Sequence, residues 1–307
     1  MSARVIRARV LSLARTLPAR PVRTRVAVGR RRILNRALVY AGLSAYALIA
    51  VFPLYWLFKS SLTVGLDLIA ATPSLLPRTL DFSNYARVLS VGLIVTFFVN
   101  SLKVALASTV CTITIASLAA YSLSRFRYRG RELIRGSVLM AYMFPGILLA
   151  VPLALVYGQL GLINNHAGLV LAYVTFSLPF ALWLLTAYFQ TIPREIDEAA
   201  RVDGATHFDV FVRIILPLAA PGIVTASIFA FLAAWNEFTL ALVLIQQNEL
   251  KTLPTGLALF LQGGPGDTIE WGGRMAAGVM VIIPSLIFFL LASGRLARGL
   301  ATGAVKG

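Results

Sequence analysis

The sequence predicts an all-α membrane protein with six transmembrane helices. Two features of the composition support this class. Of the 307 residues, 58% are hydrophobic and only 13% are charged, whereas a soluble domain carries about 25% charged residues. The apolar residues also fall into runs of about 20 or more, which is the length a helix needs to cross a bilayer.

Six apolar runs are long enough to span. They cover 37–58, 104–123, 136–157, 168–189, 219–245 and 275–294. The second run extends back to Leu93 if "LIVTFFVN" is included, although Asn100 and Lys103 interrupt it. Prolines lie in or beside five of the runs. Helices broken in this way favour a bundle around a polar pathway, although proline is in general commoner in membrane helices than in soluble ones.

Basic residues give the orientation. Of the 28 Lys and Arg residues, 22 lie in alternate connecting segments, namely 1–36, 124–135, 190–218 and 295–307. Because cytoplasmic segments are enriched in Lys and Arg, both termini are predicted to be cytoplasmic. The chain is therefore expected to divide into a basic extension at 1–36, a six-span domain at 37–294 and a cytoplasmic tail at 295–307. The net charge of +16 has this explanation, and no nucleic-acid partner is predicted.

The first 36 residues hold eleven arginines and no acidic residue. This composition favours a disordered extension held near anionic lipid. An organellar transit peptide is the alternative, but the apolar run that follows is long enough to span. Cys111, the single cysteine, lies in an apolar run and is predicted to be buried, and the two histidines lack metal-ligand spacing. No metal site is predicted.

A polar island at 195–222, "EIDEAARVDGATHFDVFVRIILPLAAPG", holds five of the twelve acidic residues. The pattern predicts two short helices, the first begun at Pro193, separated by a turn at Gly204. Thr206 and Asp209 have the spacing of a capping box. Apolar residues follow at helical spacing and are predicted to lie on one side: Phe208, Phe211, Val212 and Ile215. Interfacial lipid-binding helices favour basic polar faces, so this acidic one favours a protein partner.

The island resembles a signature of the permease subunits of binding-protein-dependent ABC importers. The matching residues are Glu198, Ala199, Ala200, Gly204, Ile214, Leu216 and Pro217. Further stretches are similar to the carbohydrate-importing, maltose-type group: "FSNYARVL" at 82–89, "LGLINNHAGLVLAYVTFSLPFALWLL" at 160–185, "AWNEF" at 234–238 and "GLATGAVKG" at 299–307. The extension before Ile33 departs from that group.

The resemblance implies a cytoplasmic coupling loop at 191–217, between spans 4 and 5, that seats in a groove of an ATPase. The coupling residues it implies are Glu198, Ala199, Ala200, Asp203, Gly204, Ala205, Phe208, Phe211, Ile214, Leu216 and Pro217. It also implies that the tail contacts the ATPase pair through Thr302, Gly303, Ala304, Val305, Lys306 and Gly307. A frayed end is the alternative for the tail.

The implied partners are a second permease, two ATPase subunits, an extracytoplasmic solute-binding protein and membrane lipid. The chain has no phosphate-binding loop of the GxxxxGK[ST] type, so no cofactor is expected on it, and ATP with Mg is expected on the ATPases. The implied location is a bacterial or archaeal cytoplasmic membrane. The implied solute is a sugar, with glycerol phosphate compounds or another small polar solute as alternatives.

In the fifth run, Trp235, Asn236 and Glu237 interrupt apolar sequence. A mid-bilayer charge costs about 2.5–3.5 kcal/mol on insertion scales, so Glu237 is expected to avoid lipid. One hypothesis places the three residues on the translocation pathway, where Trp235 would offer a stacking face and Asn236 amide hydrogen bonds to a sugar. The alternative is that Asn236 and Glu237 satisfy helix breaks at neighbouring prolines or bond across the permease pair. Two other classes remain as rivals: a membrane-embedded enzyme using Glu237 with Asn236 or Asp267 with Glu270, and a secondary transporter.

Overall fold

The computed structural model describes residues 25–63, 68, 72, 74–77, 79–90, 92–262 and 271–304. Over these residues the chain is all-α and contains no strand, which confirms the predicted class. The helices, in chain order, are α1 (Arg25–Ser61), α2 (Ser83–Ser90), α3 (Leu93–Arg125), α4 (Arg131–Tyr142), α5 (Gly146–Gln159), α6 (His166–Gln190), α7 (Arg194–Val202), α8 (His207–Leu218), α9 (Ala220–Trp235), α10 (Thr239–Leu244), α11 (Leu253–Gln262) and α12 (Trp271–Ala304).

Four of these helices, α1, α3, α6 and α12, are long and apolar enough to cross a membrane. The number rises to six if α4 with α5, and α8 with α9, each count as one bent span. The predicted third run, 136–157, is therefore not one straight helix. The chain bends by 99° between Tyr142 and Gly146, because Pro145 precedes α5 in an extended conformation that a helix cannot continue through.

The predicted fifth run, 219–245, is also divided. Helix α9 ends at Trp235, and a new helix, α10, begins at Thr239. The predicted interruption "WNEF" is thus a break between two helices rather than a polar patch on one. This break brings polar backbone groups to the same place as the acidic side chain of Glu237.

The residues up to Trp56 form a compact unit of their own, which in the described part consists of residues 25–56 of α1. None of the most apolar stretch of this helix is buried. In water such a surface would drive association, so α1 depends on lipid or another chain for cover.

The second unit has its core where α3, α6 and α9 pack together. One cluster surrounds Trp235 and includes Phe97, Tyr173 and Phe231. A second cluster joins the other end of α3 and α6 to α8. Its helix contacts use small residues: Ala116, Ala120, Ala181 and Ala226. Small side chains let helix backbones approach closely, which is how membrane helices gain packing energy without a difference in hydrophobicity from lipid.

Cys111 is exposed on α3, so the prediction that it is buried was wrong. The apolar run indicates only that Cys111 lies in a membrane helix. A lipid-facing position has the same hydropathy as a core position, so composition alone cannot separate the two.

The first turns of α3 hold the chain segment between α10 and α11. Asn100 donates to the carbonyls of Glu249 at 2.8 Å and Lys251 at 3.1 Å, and the Ser101 hydroxyl accepts the Leu253 N–H at 2.7 Å. Asn164 supports the same segment by accepting two further backbone N–H groups. These bonds satisfy an irregular backbone that would otherwise be unpaired.

Candidate functional site

The polar island folds as the two predicted helices. Helix α7 begins after Pro193 and carries Glu195 and Asp197 in its first turn, where the helix dipole favours negative charge. Helix α8 follows after a four-residue turn. Its middle, Phe211–Ile215, is a π-helical turn, a feature that is rare and often found at functional sites.

The turn between the helices requires Gly204. Its φ is +87°, a conformation that costs an L-residue about 1–2 kcal/mol. A Cβ there would meet no atom within 4 Å, so the requirement comes from the backbone angle and not from crowding. The Gly204 N–H donates to Arg201 O at 3.1 Å and the Ala205 N–H to Ala200 O at 3.0 Å, which together form a Schellman motif.

A capping box opens α8, as predicted. The Asp209 N–H donates to the Thr206 hydroxyl at 3.1 Å, and the Thr206 N–H donates to the Asp209 carboxylate at 3.2 Å. The two bonds satisfy backbone donors that the first turn of a helix leaves free. Both ends of the turn are therefore fixed by local chemistry.

An ionic contact ties α7 to the last turn of α3. Arg125 Nε lies 2.9 Å from Asp197 Oδ2, and the two side chains are 6% and 14% exposed. Arg125 also donates to Ile192 O at 3.1 Å, and Arg194 donates in the opposite direction to Ser124 O at 2.9 Å. Burial raises the pKa of the Asp197 carboxyl, while the guanidinium groups of Arg125 and Arg194 oppose that rise.

Aromatic contacts tie α8 to the same turn. The Tyr121 hydroxyl donates to His207 O at 3.2 Å, and the Tyr121 ring lies 5.0 Å from that of Phe211. Phe126 meets the His207 ring edge to face at 5.1 Å. The island is thus seated on one end of α3 by ionic, hydrogen-bonding and ring contacts.

The apolar residues of α8 do not share one face, contrary to prediction. Phe211 and Ile215 are buried in the core, whereas Phe208 is 69% and Val212 40% exposed. The π turn alters the angular spacing of the residues across it, and Phe208 lies in the turn before it. On α7, Glu198, Ala199 and Val202 are exposed. We call Glu198, Ala199, Val202 and Phe208 the exposed face of the island.

The other predicted coupling positions differ in exposure. Asp203, Gly204 and Pro217 are exposed, whereas Ala200, Ala205, Ile214 and Leu216 are half-buried. Ala200, Ala205 and Leu216 pack against the core cluster that contains Phe211. The signature residues therefore fall into an outward group and a group that holds the two helices on the body of the protein.

A cavity of about 340 Å³ lies between α4, α6, α9 and α10. Its polar lining is provided by Tyr173, Ser177 and Glu237, and its remaining wall includes the rings of Tyr142, Phe176, Phe180 and Phe229. No Lys or Arg is among its described lining residues. Of the three residues predicted for the pathway, only Glu237 borders this cavity.

The Glu237 carboxylate caps α10. Its two oxygens accept the backbone N–H groups of Leu240 at 2.7 Å and Ala241 at 3.0 Å. A helix N-terminus stabilises a negative charge in this position. The acid thus satisfies a helix break, as the alternative held in part, but the break lies at Glu237 itself and not at a neighbouring proline. The same side chain borders the cavity.

Trp235 and Asn236 have other surroundings. Trp235 is 1% exposed, stacks with Phe231 and donates its ring N–H to Val281 O at 3.2 Å. The prediction that it offers a stacking face was wrong, because the apolar run hid which side of α9 faces the core. Asn236 is exposed and donates to Leu232 O at 2.8 Å.

The predicted tail is not separate from the last span in its backbone. Helix α12 continues through the predicted end at 294 to Ala304 and so includes Thr302, Gly303 and Ala304. Val305, Lys306 and Gly307 lie outside the described residues, as do Asp267 and Glu270. Residues 1–24 of the basic extension also lie outside, whereas 25–36 form the start of α1.

Sequence comparison places these features in a known class. Residues 112–302 of this all-α membrane chain match the model for inner membrane components of binding-protein-dependent transport systems. The chain belongs to this family.

Two relatives are named for sugar transport. The chain is 37% identical over 281 residues to the trehalose transport system permease protein SugB of Mycobacterium tuberculosis (strain CDC 1551 / Oshkosh), covering 91% of this chain and 100% of the relative. It is 38% identical over 280 residues to the trehalose/maltose transport system permease protein MalG of Thermococcus litoralis (strain ATCC 51850 / DSM 5473 / JCM 8560 / NS-C), covering 91% and 99%.

A solved structure has the same fold. It is a chain of a bacterial ABC transporter involved in the import of the acidic polysaccharide alginate, with 26% sequence identity and a TM-score of 0.74, covering 90% of this chain and 99% of that one. The protein is thus a multi-pass cell-membrane permease of the sugar ABC importer type, and its relatives are named as transport subunits rather than as enzymes. The predicted family and transport role are confirmed.

Sequence reasoning missed Arg125 and Arg194 as anchors of the island. Arg125 is the last residue of α3 and contributed to the sequence argument only as one of many basic residues at a membrane boundary. Its partner lies far along the chain, so no local spacing reveals the contact. The cavity residues Tyr173 and Phe180 were missed because nothing local in their apolar run distinguishes an aromatic side chain that faces a cavity from one that faces lipid or the core.

Proposed function

We propose that this chain is one of two permeases that form the pathway for a neutral di- or oligosaccharide, delivered by a solute-binding protein. The observation that supports coupling to a partner protein is the exposed face of the island. Val202 and Phe208 are 88% and 69% exposed, although both are apolar and lie on helices fixed by a Schellman turn and a capping box. An apolar, preorganised surface of this kind suits a protein groove.

The proposed partner at this face is an ATPase subunit, with ATP and Mg bound on that subunit and not on this chain. The inside location of both termini, proposed from the bias in basic residues, puts the island on the ATPase side. Asp203 and Gly204 shape the turn that presents the face, while Ala200, Ala205, Ile214 and Leu216 hold it on the core. The residues Thr302–Gly307 are proposed as a second contact with the ATPase pair.

The cavity supports a neutral sugar as the solute. Aromatic side chains provide faces for the apolar side of a sugar ring, and Tyr173, Ser177 and Glu237 provide hydroxyl and carboxylate partners. A volume of about 340 Å³ is at the small end of ligand sites, which run from about 300 to 1,000 Å³. A second permease would complete the pathway.

The charge of the cavity argues against the alternative solutes. Glu237 is the only charged residue among its described lining residues. A phosphate group would meet the like charge of Glu237 with no Lys or Arg among the described lining residues to offset it. Glycerol phosphate compounds are therefore disfavoured by this chain's part of the pathway, and the named relatives transport trehalose or maltose.

The test is uptake by the complete complex in proteoliposomes, with the second permease, both ATPases and the binding protein. We expect ATP-dependent accumulation of labelled trehalose or maltose that glycerol 3-phosphate does not compete with. Uptake that persists without the ATPases would make the protein a secondary transporter and refute the proposal. Competition by glycerol 3-phosphate alone would refute the neutral-sugar assignment.

A further inference from the structure

The pair of Arg125 and Asp197 offers more than an attachment. The island touches the last turn of α3 through several contacts, and among the described residues this one joins two charged side chains that are only 6% and 14% exposed. Buried ion pairs often add little net stability, because desolvation offsets their attraction. Here burial has the largest effect on the pKa of Asp197, and it disfavours the charged carboxylate. A contribution to stability is therefore a weak explanation for the presence of the pair.

The geometry of the pair is incomplete. Arg125 Nε and Asp197 Oδ2 are 2.9 Å apart, but Nε does not meet the angle of a hydrogen bond. Arg125 Nη2 and Asp197 Oδ1 are also buried without a hydrogen-bond partner among the described residues. A guanidinium and a carboxylate usually satisfy such atoms together, through two parallel bonds. Arg125 and Asp197 do not form these two parallel hydrogen bonds in the structure.

The surroundings restrict how the two-bond arrangement can form. Arg125 is held by its bond to Ile192 O, and Ser124 O is held by Arg194. Asp197 lies on α7, whose far side carries Glu198, Ala199 and Val202 in the exposed face. With Arg125 held in this way, a small shift or rotation of α7 against α3 is one movement that aligns the carboxylate with the guanidinium.

We propose that Arg125 and Asp197 form the joint through which α7 drives α3, and that the joint closes to two bonds when an ATPase subunit engages the exposed face. This inference rests on the proposed coupling function. Arg125 and Asp197 act as positioning residues, since neither lies in the exposed face or in the cavity. Closure converts a displacement of α7 into a displacement of α3 because the closed fork fixes both distance and orientation.

The test uses three variants in the complete complex: Asp197→Asn, Arg125→Lys and the control Glu195→Gln. Asparagine keeps the shape of aspartate but removes its charge, and lysine keeps the charge of arginine but cannot form the fork. Glu195 is an exposed acid of the same helix with no ion pair to the described residues. Two quantities are measured: copurification of the ATPases, and sugar moved per ATP hydrolysed.

We expect normal copurification in all three variants and a fall of about tenfold in sugar moved per ATP for Asp197→Asn and Arg125→Lys only, which corresponds to a loss of about 1.4 kcal/mol of coupling free energy. A wild-type ratio in Arg125→Lys would refute the fork. Loss of copurification in both would assign the pair to assembly and overturn the proposal. If the wild-type complex itself showed no ATP-dependent uptake, the proposed function would fall instead.

Discussion

Replacement of Gly204 tests whether the island must keep its turn. The residue has φ of +87°, so Gly204→Ala places an L-residue in the left-handed region at a cost of about 1–2 kcal/mol. That cost lowers the ratio of the native turn to other conformations by about 5- to 30-fold. Gly204→Val should cost more, because a β-branched residue is a genuine outlier there, and Gly204→Asn less.

The chain offers a matched control. Gly130 has φ of +88°, and a Cβ there also meets no atom within 4 Å, but it lies between α3 and α4 and outside the island. Gly130→Ala should therefore impose the same backbone strain without altering the turn between α7 and α8. A difference between the two alanine variants isolates the island from general destabilisation.

The assay is ATP-dependent uptake by the assembled complex, read beside the expression of the isolated permease and the copurification of the ATPases. We expect uptake or ATPase retention to fall in the order Asn, Ala, Val at position 204, with expression much less affected. Full uptake in Gly204→Val, or an equal loss in Gly130→Ala, would refute the reasoning.

Three other outcomes are expected. The Glu237→Gln variant should assemble, because its amide oxygen still caps α10, but its uptake should be reduced. Glu237→Ala should in addition lower the free energy of unfolding by about 1–3 kcal/mol, because backbone donors of α10 lose their partner. Wild-type uptake in both variants would contradict a pathway role. Deleting 302–307 should lower ATP-dependent uptake but not membrane insertion, and unchanged uptake would favour a frayed end. Folding raises the pKa of the Asp197 carboxyl above its usual 3.8. Its contribution to stability should therefore be largest below pH 3.8 and should decline as the pH rises toward the folded pKa. Asp197→Asn should remove this pH dependence from thermal unfolding, and a pH profile unchanged by the substitution would contradict the assignment.

Local chemistry made the island predictable. The capping box of Thr206 and Asp209, and the positive φ of Gly204, depend on residues within a few positions of each other, so the printed sequence contains all of the relevant information. The same holds for the long spans, since bilayer crossing depends on the length and hydropathy of one run.

Features that depend on distant partners were not predictable. The burial of Trp235 and the exposure of Cys111 are set by which side of a helix meets another helix, and both sides are apolar in a membrane. The division of the fifth run into two helices was not predicted. Hydropathy shows Glu237 only as a polar residue within an apolar run, and it does not show that the carboxylate caps the start of a second helix. Arg125 could not be paired with Asp197 without the packing of α3 against α7.

The hydrogen bonds of helix α3 also have a consequence for the order of folding during synthesis. The carbonyl of Glu249 that Asn100 binds lies 149 residues further along the chain. At roughly 5–20 residues per second, a ribosome needs about 7–30 s to make that stretch. During this time Asn100 lacks its native partner, and Ser101 lacks the Leu253 N–H. The second long helix to be synthesised therefore gains these partners only after Leu253 has been made, and truncations between α10 and α11 should leave Asn100 and Ser101 of α3 without them.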